Sequence, residues 1–256
     1  MKRIPWLAWV SAGVLMFLYL PMILLVIFSF NASKYGASWE GFTLSWYTRL
    51  FERQDIMRSS WNSLIVASFS SVLATWLGTM AAMSLERFRW KRKGWCEGFL
   101  YLPLVVPELM MAVGLLLFFS MVRLPLGRTT LVLSHTAFNL PIVWMIVAAR
   151  LKKLDPRLEE AAVDLGATPW MAFRHVTFPL LLPAILGGLL MSFVISLDDF
   201  VISFFMSGPE SSTLPVQIYS MLRFAITPEV HALSSLLMMA SMILVVIAWF
   251  FQEEMA

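Results

Sequence analysis

Six long apolar runs decide what this chain can fold into. They fall near residues 7–30, 61–85, 98–121, 131–150, 180–206 and 233–251. A helix needs about 20 apolar residues to cross about 30 Å of hydrocarbon, and each run is close to or beyond that length. The expected fold is all-α: a polytopic membrane protein with about six transmembrane helices in a single domain over residues 1–256. The first run follows Lys2 and Arg3, as a secretory signal does, but it is long for a signal core. No clear small-residue cleavage site follows it, so it is read as a retained helix.

Composition supports the same class. The chain is 59% hydrophobic and 14% charged, whereas a soluble domain carries roughly a quarter charged residues. A net charge of +3 would suit nucleic acid, but the basic residues cluster at the ends of the apolar runs, where topology explains them better. The expected surroundings are membrane lipid, with no nucleic acid. The single Cys96 excludes an intrachain disulfide and a multi-thiolate metal site.

Orientation follows from Lys and Arg. Twelve flank one side, at residues 2–3, 86–97 and 150–178, and seven flank the other, at 31–60, 122–130 and Arg223. The excess places both termini and the 151–178 loop in the cytoplasm. The 31–60 loop then lies outside. Its Trp39, Phe42, Trp46, Tyr47 and Leu50 predict a short interfacial helix, either belted at the membrane surface or touching an extracytoplasmic partner. Gly78, Gly114, Gly187 and Gly188 are candidates for close helix contact.

The loop at about 151–178 is charged and reads as two short helices. Asp155 caps the first and Pro156 suits its first position. Leu158, Ala161, Ala162 and Leu165 recur at helical spacing, and Gly166 fits a left-handed C-terminal cap. Thr168 and Pro169 repeat the start signal for a helix towards Val176, with Pro179 and Pro183 punctuating the return to the membrane. Glu160-Ala161-Ala162, three residues including Asp164, Gly166, nine residues, Val176, one residue, then Phe178-Pro179 resembles the EAA loop of binding-protein-dependent ABC importer permeases. Val176 and Phe178 stand where that pattern has Ile and Leu, and both keep an apolar side chain.

Three acids lie inside apolar runs. Glu108 follows Pro103 and Pro107, and Asp198 and Asp199 sit in the outer half of the fifth run. An intramembrane carboxylate costs at least a few kcal/mol unless a cavity, a partner or a cation compensates. The prolines near Glu108 can open its helix. On one continuous helix Asp198 and Asp199 would diverge by about 100°. Around them, Ser196-Leu197-Asp198-Asp199, Gly208-Pro209, Thr213-Leu214-Pro215 and Pro228-Glu229 resemble the spermidine/putrescine importer permeases, as do Tyr19-Leu20-Pro21 and Ser29-Phe30-Asn31. His231 stands where that subgroup commonly has Asn.

The resemblance implies a type I ABC importer permease fold working by alternating access in a bacterial inner membrane. It implies a second permease subunit in a heterodimer, two copies of an ABC ATPase and an extracytoplasmic substrate-binding protein. Glu160, Ala161, Ala162, Asp164, Gly166 and Pro169 would couple to the ATPase. Glu108, Asp198 and Asp199 are candidates to line the substrate path, with Phe200 and Tyr219 as cation–π faces. No Gly is followed by Lys, so the chain lacks a Walker A phosphate cradle. Hence no cofactor is expected on this chain, and ATP and Mg are expected on the partner ATPase. His135, His175 and His231 show no metal-ligand spacing, and no catalytic triad is apparent. Two readings stand beside polyamine import: a permease for another solute such as thiamine, ferric iron or sulfate, and a proton-coupled carrier whose acids form a relay.

Overall fold

The computed structural model describes residues 5–33, 38–88, 90–224 and 227–253. Lys2, Arg3, Lys34 and Arg89 of the charge asymmetry lie outside the described residues. In chain order the helices are α1 (Pro5–Phe28), α2 (Ser45–Glu52), α3 (Gln54–Arg87), α4 (Lys93–Val105), α5 (Glu108–Met121), α6 (Arg128–Lys153), α7 (Arg157–Asp164), α8 (Pro169–Ala172), α9 (Phe178–Asp198), α10 (Val201–Met206), α11 (Leu214–Phe224) and α12 (Pro228–Glu253). A π-helical turn, Phe173–Thr177, joins α8 to α9. No strand occurs among the described residues, and Asn31 and Phe42 form an isolated bridge. The all-α expectation holds.

Among the described residues five helices are long and apolar enough to span a membrane, and the α4–α5 pair makes up to six if counted as one broken span. Three boundaries differ from the sequence reading. The run at 98–121 is not one rod, because α4 and α5 meet at 105°. Pro107 disfavours helical geometry at the residue before it, and Val106 is extended at φ −69°, ψ 130°. The run at 180–206 divides at Asp198, and Asp199 is extended at φ −65°, ψ 123°. Pro179 and Pro183 do not mark a break, because helix continues from Pro169 to Asp198. A proline inside a helix loses one backbone bond and crowds the carbonyl four residues back. The wider π turn ending two residues before Pro179 is one of the few local devices that admit this.

The chain forms two compact units. One comprises Met1–Met57 and Gln217–Met239. In it Asn31 is fully buried and organises the following loop. Its side-chain oxygen accepts from the Ser33 and Glu40 amides, its Nδ2 donates to the Ser38 carbonyl, and its own carbonyl accepts from Trp46 Nε1 at 2.7 Å. The predicted interfacial helix is α2, with Trp46 and Leu50 buried. Trp39 and Phe42 fall outside it and stand exposed. Arg53 joins the carboxylates of Asp55 and Glu229. The hydrogen bond to Asp55 is the main reason its guanidinium is held above its ordinary range.

The other unit comprises Arg58–Val216 and Ala240–Ala256. In one of its cores small residues of α3 bring that helix close to α6. Ala74, Ala82 and Leu85 of α3 pack with Val143, Trp144, Val147 and Ala148 of α6, and Ile185 of α9 joins them. A Cβ at Gly78 would stand 3.0 Å from Leu140 O and Trp144 N, and one at Gly188 would stand 3.2 Å from the Val143 side chain. Between membrane helices, where lipid is as apolar as leucine, such close approach supplies van der Waals contact. Gly187 is buried on the same helix. The expectation for Gly114 is corrected: nothing lies within 4 Å of a Cβ there.

Candidate functional site

Two constellations stand out in the second unit, and local sequence builds both. The first is the loop between α6 and α9. The Asp155 carboxylate accepts the Arg157 amide at 3.0 Å and caps the start of α7. At its other end Gly166 adopts φ +90°. The Gly166 amide donates to Val163 O and the Ala167 amide to Ala162 O, which is the paired bonding of a Schellman C-cap. Thr168 then accepts from Met171 N at 3.3 Å, with Pro169 opening α8. The turn chemistry expected from the sequence is what folds.

This loop is presented, not packed. No residue of α7 is buried. Glu160, Ala161, Asp164, Gly166 and Pro169 are exposed and Ala162 is half-buried. Leu165 is 91% exposed and Trp170 65%, beside exposed Leu158, Val163 and Met171. Apolar side chains gathered on a protruding helical turn mark an interaction surface. Behind α7 lies a cleft of about 350 Å³ lined by residues of α3, α6, α7 and the start of α9. Across it Arg87, the last residue of α3, pairs with both oxygens of Glu159. Arg87 also donates to Thr177 Oγ1 at 3.0 Å, and that hydroxyl donates to Glu159 at 3.2 Å. Beside them Glu86 pairs with Lys93 and Lys152.

The second constellation is intramembrane. The helix break at Val106–Pro107 leaves Glu108 as the first residue of α5, half-buried. Its carboxyl neighbours that of Asp199. Asp199 is 8% exposed. It accepts from the amides of Ile202 and Ser203 at 3.3 and 2.9 Å, and so caps α10. It also meets His135 Nε2 at 3.1 Å. The other ring nitrogen of His135 lies 2.6 Å from Ser196 Oγ, which lies 3.0 Å from Ser70 Oγ. An Nε2–H tautomer donates to Asp199 and leaves Nδ1 to accept from Ser196.

The two adjacent aspartates therefore do different things, and not because of a 100° turn along one helix. The helix ends between them. Asp199 turns inward to cap and to bind His135. Asp198 is exposed and accepts from Ser241 Oγ of α12 at 2.7 Å. Phe200 follows at the break, half-buried and 5.5 Å from the Phe204 ring. Tyr219 belongs to the other compact unit, where it is 46% exposed on α11. Sequence reasoning missed His135, Ser196, Arg87, Glu159 and Thr177. The signal for His135 was available: an ionisable side chain within an apolar run calls for a named partner.

The helices thus carry an exposed two-helix loop and intramembrane acids at helix breaks. The chain belongs to the family of binding-protein-dependent transport system inner membrane components, which its residues 74–252 match. It is 39% identical over 230 residues to the spermidine/putrescine transport system permease protein PotC of Escherichia coli (strain K12), covering 90% of this chain and 87% of that one. The PotC of Haemophilus influenzae is 41% identical over 232 residues, covering 91% and 90%. The putrescine transport system permease protein PotI of Escherichia coli (strain K12) is 38% identical over 257 residues, covering 97% and 91%. Among solved structures, a bacterial ABC transporter that imports the acidic polysaccharide alginate superposes with TM-score 0.74 over 99% of this chain and 94% of that chain at 18% identity. That likeness supports the fold.

Proposed function

We propose that this chain is one transmembrane subunit of an ATP-driven importer of polyamines, a single permease domain over residues 1–256. The observation that carries the substrate is its identity to spermidine/putrescine and putrescine permeases over nearly its whole length. In this reading a second permease completes the pathway, two copies of an ATPase bind and hydrolyse ATP with Mg, and an extracytoplasmic protein delivers substrate. The termini and the 151–178 loop face the cytoplasm. The exposed Leu165, Trp170 and Val163, with Glu160 and Asp164, form the ATPase dock.

Polyamines are linear polycations with apolar stems. Glu108 and Asp198 are the intramembrane carboxylates with accessible surface, so they are assigned to the ammonium groups. A cation beside Glu108 also relieves repulsion from Asp199. Asp199 acts one step back, fixing the break that presents Asp198 and Phe200. Phe200, beside the break, offers a ring face to the stem and its charge.

The test is uptake of labelled spermidine and putrescine by proteoliposomes holding the full transporter, ATP and binding protein. Saturable ATP-dependent uptake is expected, with Glu108→Gln and Asp198→Asn each reducing it at least tenfold. Uptake of thiamine or ferric iron in place of polyamine would overturn the substrate assignment, and uptake driven by a proton gradient without ATP would overturn the class.

A further inference from the structure

We infer that Arg87, Glu159 and Thr177 form a mechanical latch that makes α3 follow the coupling loop during the transport cycle. This rests on the reading of the 151–178 loop as the ATPase dock.

α7 is weakly held by its surroundings. It has no buried residue, so apolar packing does not fix it. The chain itself ties it to α6 through Leu154–Pro156 and to α9 through Gly166–Thr177. Neither connection reaches α3. The link that does is Arg87, which grips Glu159 with both terminal nitrogens. A planar guanidinium meeting a carboxylate at two points resists rotation as well as separation. The Thr177 hydroxyl closes the triangle, accepting from Arg87 and donating to Glu159. Thr177 is itself buried, at the end of the π turn where the loop becomes α9.

Three elements thus meet at one guanidinium: the end of α3, Glu159 on α7, and the foot of α9. Both ions of the pair are more than two-thirds covered, at 28% and 32% exposure, which limits screening relative to a free surface pair. The placement at the end of α3 matters mechanically. A 34-residue helix transmits a displacement of its end along its full length. Its far face packs on α6 through Gly78, with no room for a side chain. A push on α7 that moved only α6 and α9 would shear that contact. With the latch closed, α3 moves with them.

Glu159 and Arg87 are therefore positioning residues that act through the helices and touch neither nucleotide nor substrate. The full transporter in proteoliposomes is the test, with Arg87→Ala, Glu159→Gln, Thr177→Val and the exchange Arg87→Glu/Glu159→Arg. Three quantities are read: ATPase retained on the purified complex, hydrolysis stimulated by loaded binding protein, and polyamine imported per ATP. Arg87→Ala and Glu159→Gln are expected to keep the ATPase bound and hydrolysing within about twofold of parental. They are expected to import at least tenfold less polyamine per ATP. Thr177→Val is expected to lose less, and the exchange to recover at least a third of the parental ratio. Parental import per ATP in the single variants would overturn the latch. So would loss of ATPase binding in them that the exchange does not restore, since the pair would then be a folding element only. Gly166→Pro separates the two levels. If it retains full coupling, the dock itself is wrong; if it uncouples while the Arg87 variants do not, only the latch fails.

Discussion

Asp199→Ala, compared with Asp199→Asn and Asp198→Asn, separates a structural carboxylate from a transport one. In the parental protein Asp199 accepts two amides, from Ile202 and Ser203, and the ring N of His135, all buried. Alanine removes the cap of α10, worth about 1 kcal/mol. It also leaves a buried amide and the His135 nitrogen without their acceptor, worth about 1–3 kcal/mol together. The sum is a loss of about 2–4 kcal/mol. Asparagine keeps one oxygen, for the Ile202 amide, and His135 can answer its NH2 with the other tautomer, donating to Ser196 instead; the Ser203 amide then loses its acceptor, at a cost of about 1–2 kcal/mol. Asp198→Asn is expected to cost less than about 0.5 kcal/mol, because the side chain is exposed and an amide oxygen still accepts from Ser241. Thermal unfolding of the purified protein in detergent orders the three, with Asp199→Ala lowest and Asp198→Asn nearest parental. Uptake should order them differently: Asp198→Asn is impaired despite parental stability, and Asp199→Asn retains most transport. Parental stability of Asp199→Ala with uptake abolished would refute the capping argument and make Asp199 a substrate ligand.

Further outcomes follow from the same geometry. Gly166→Ala should cost about 1–2 kcal/mol locally, because its φ of +90° is unfavourable for a residue with a Cβ although the space is open; thermal melts of the complex and pull-down of the ATPase should show mild loss, whereas Gly166→Pro abolishes coupled hydrolysis. Gly78→Ala should destabilise by about 1–3 kcal/mol through contact with the α6 backbone, while Gly114→Ala, with open space around it, leaves detergent stability at or slightly above parental. Ser45→Cys and Arg157→Cys, each in a Cys96→Ser background, should label from opposite faces of sealed vesicles; labelling from one face would overturn the topology.

Features that depend on neighbours a few residues apart are legible in the sequence. Long apolar runs dictate spanning helices, because lipid leaves the backbone no other partner. Asp155, Gly166 and Thr168-Pro169 dictate the turns of the 151–178 loop, because capping is a contact between residues two to five apart. The helix break before Glu108 was legible as well, since a proline constrains the residue before it. Tertiary structure alone decided which intramembrane acid is turned inward. Asp199 meets His135, 64 positions away, and caps a helix that hydropathy merged with the preceding one. Likewise Arg87 and Glu159 look in sequence like ordinary charges at membrane ends, and only the approach of α3 to the loop joins them. A cap is specified by local backbone geometry, whereas an ion pair across 72 residues is specified by how three helices pack, which no window of sequence contains.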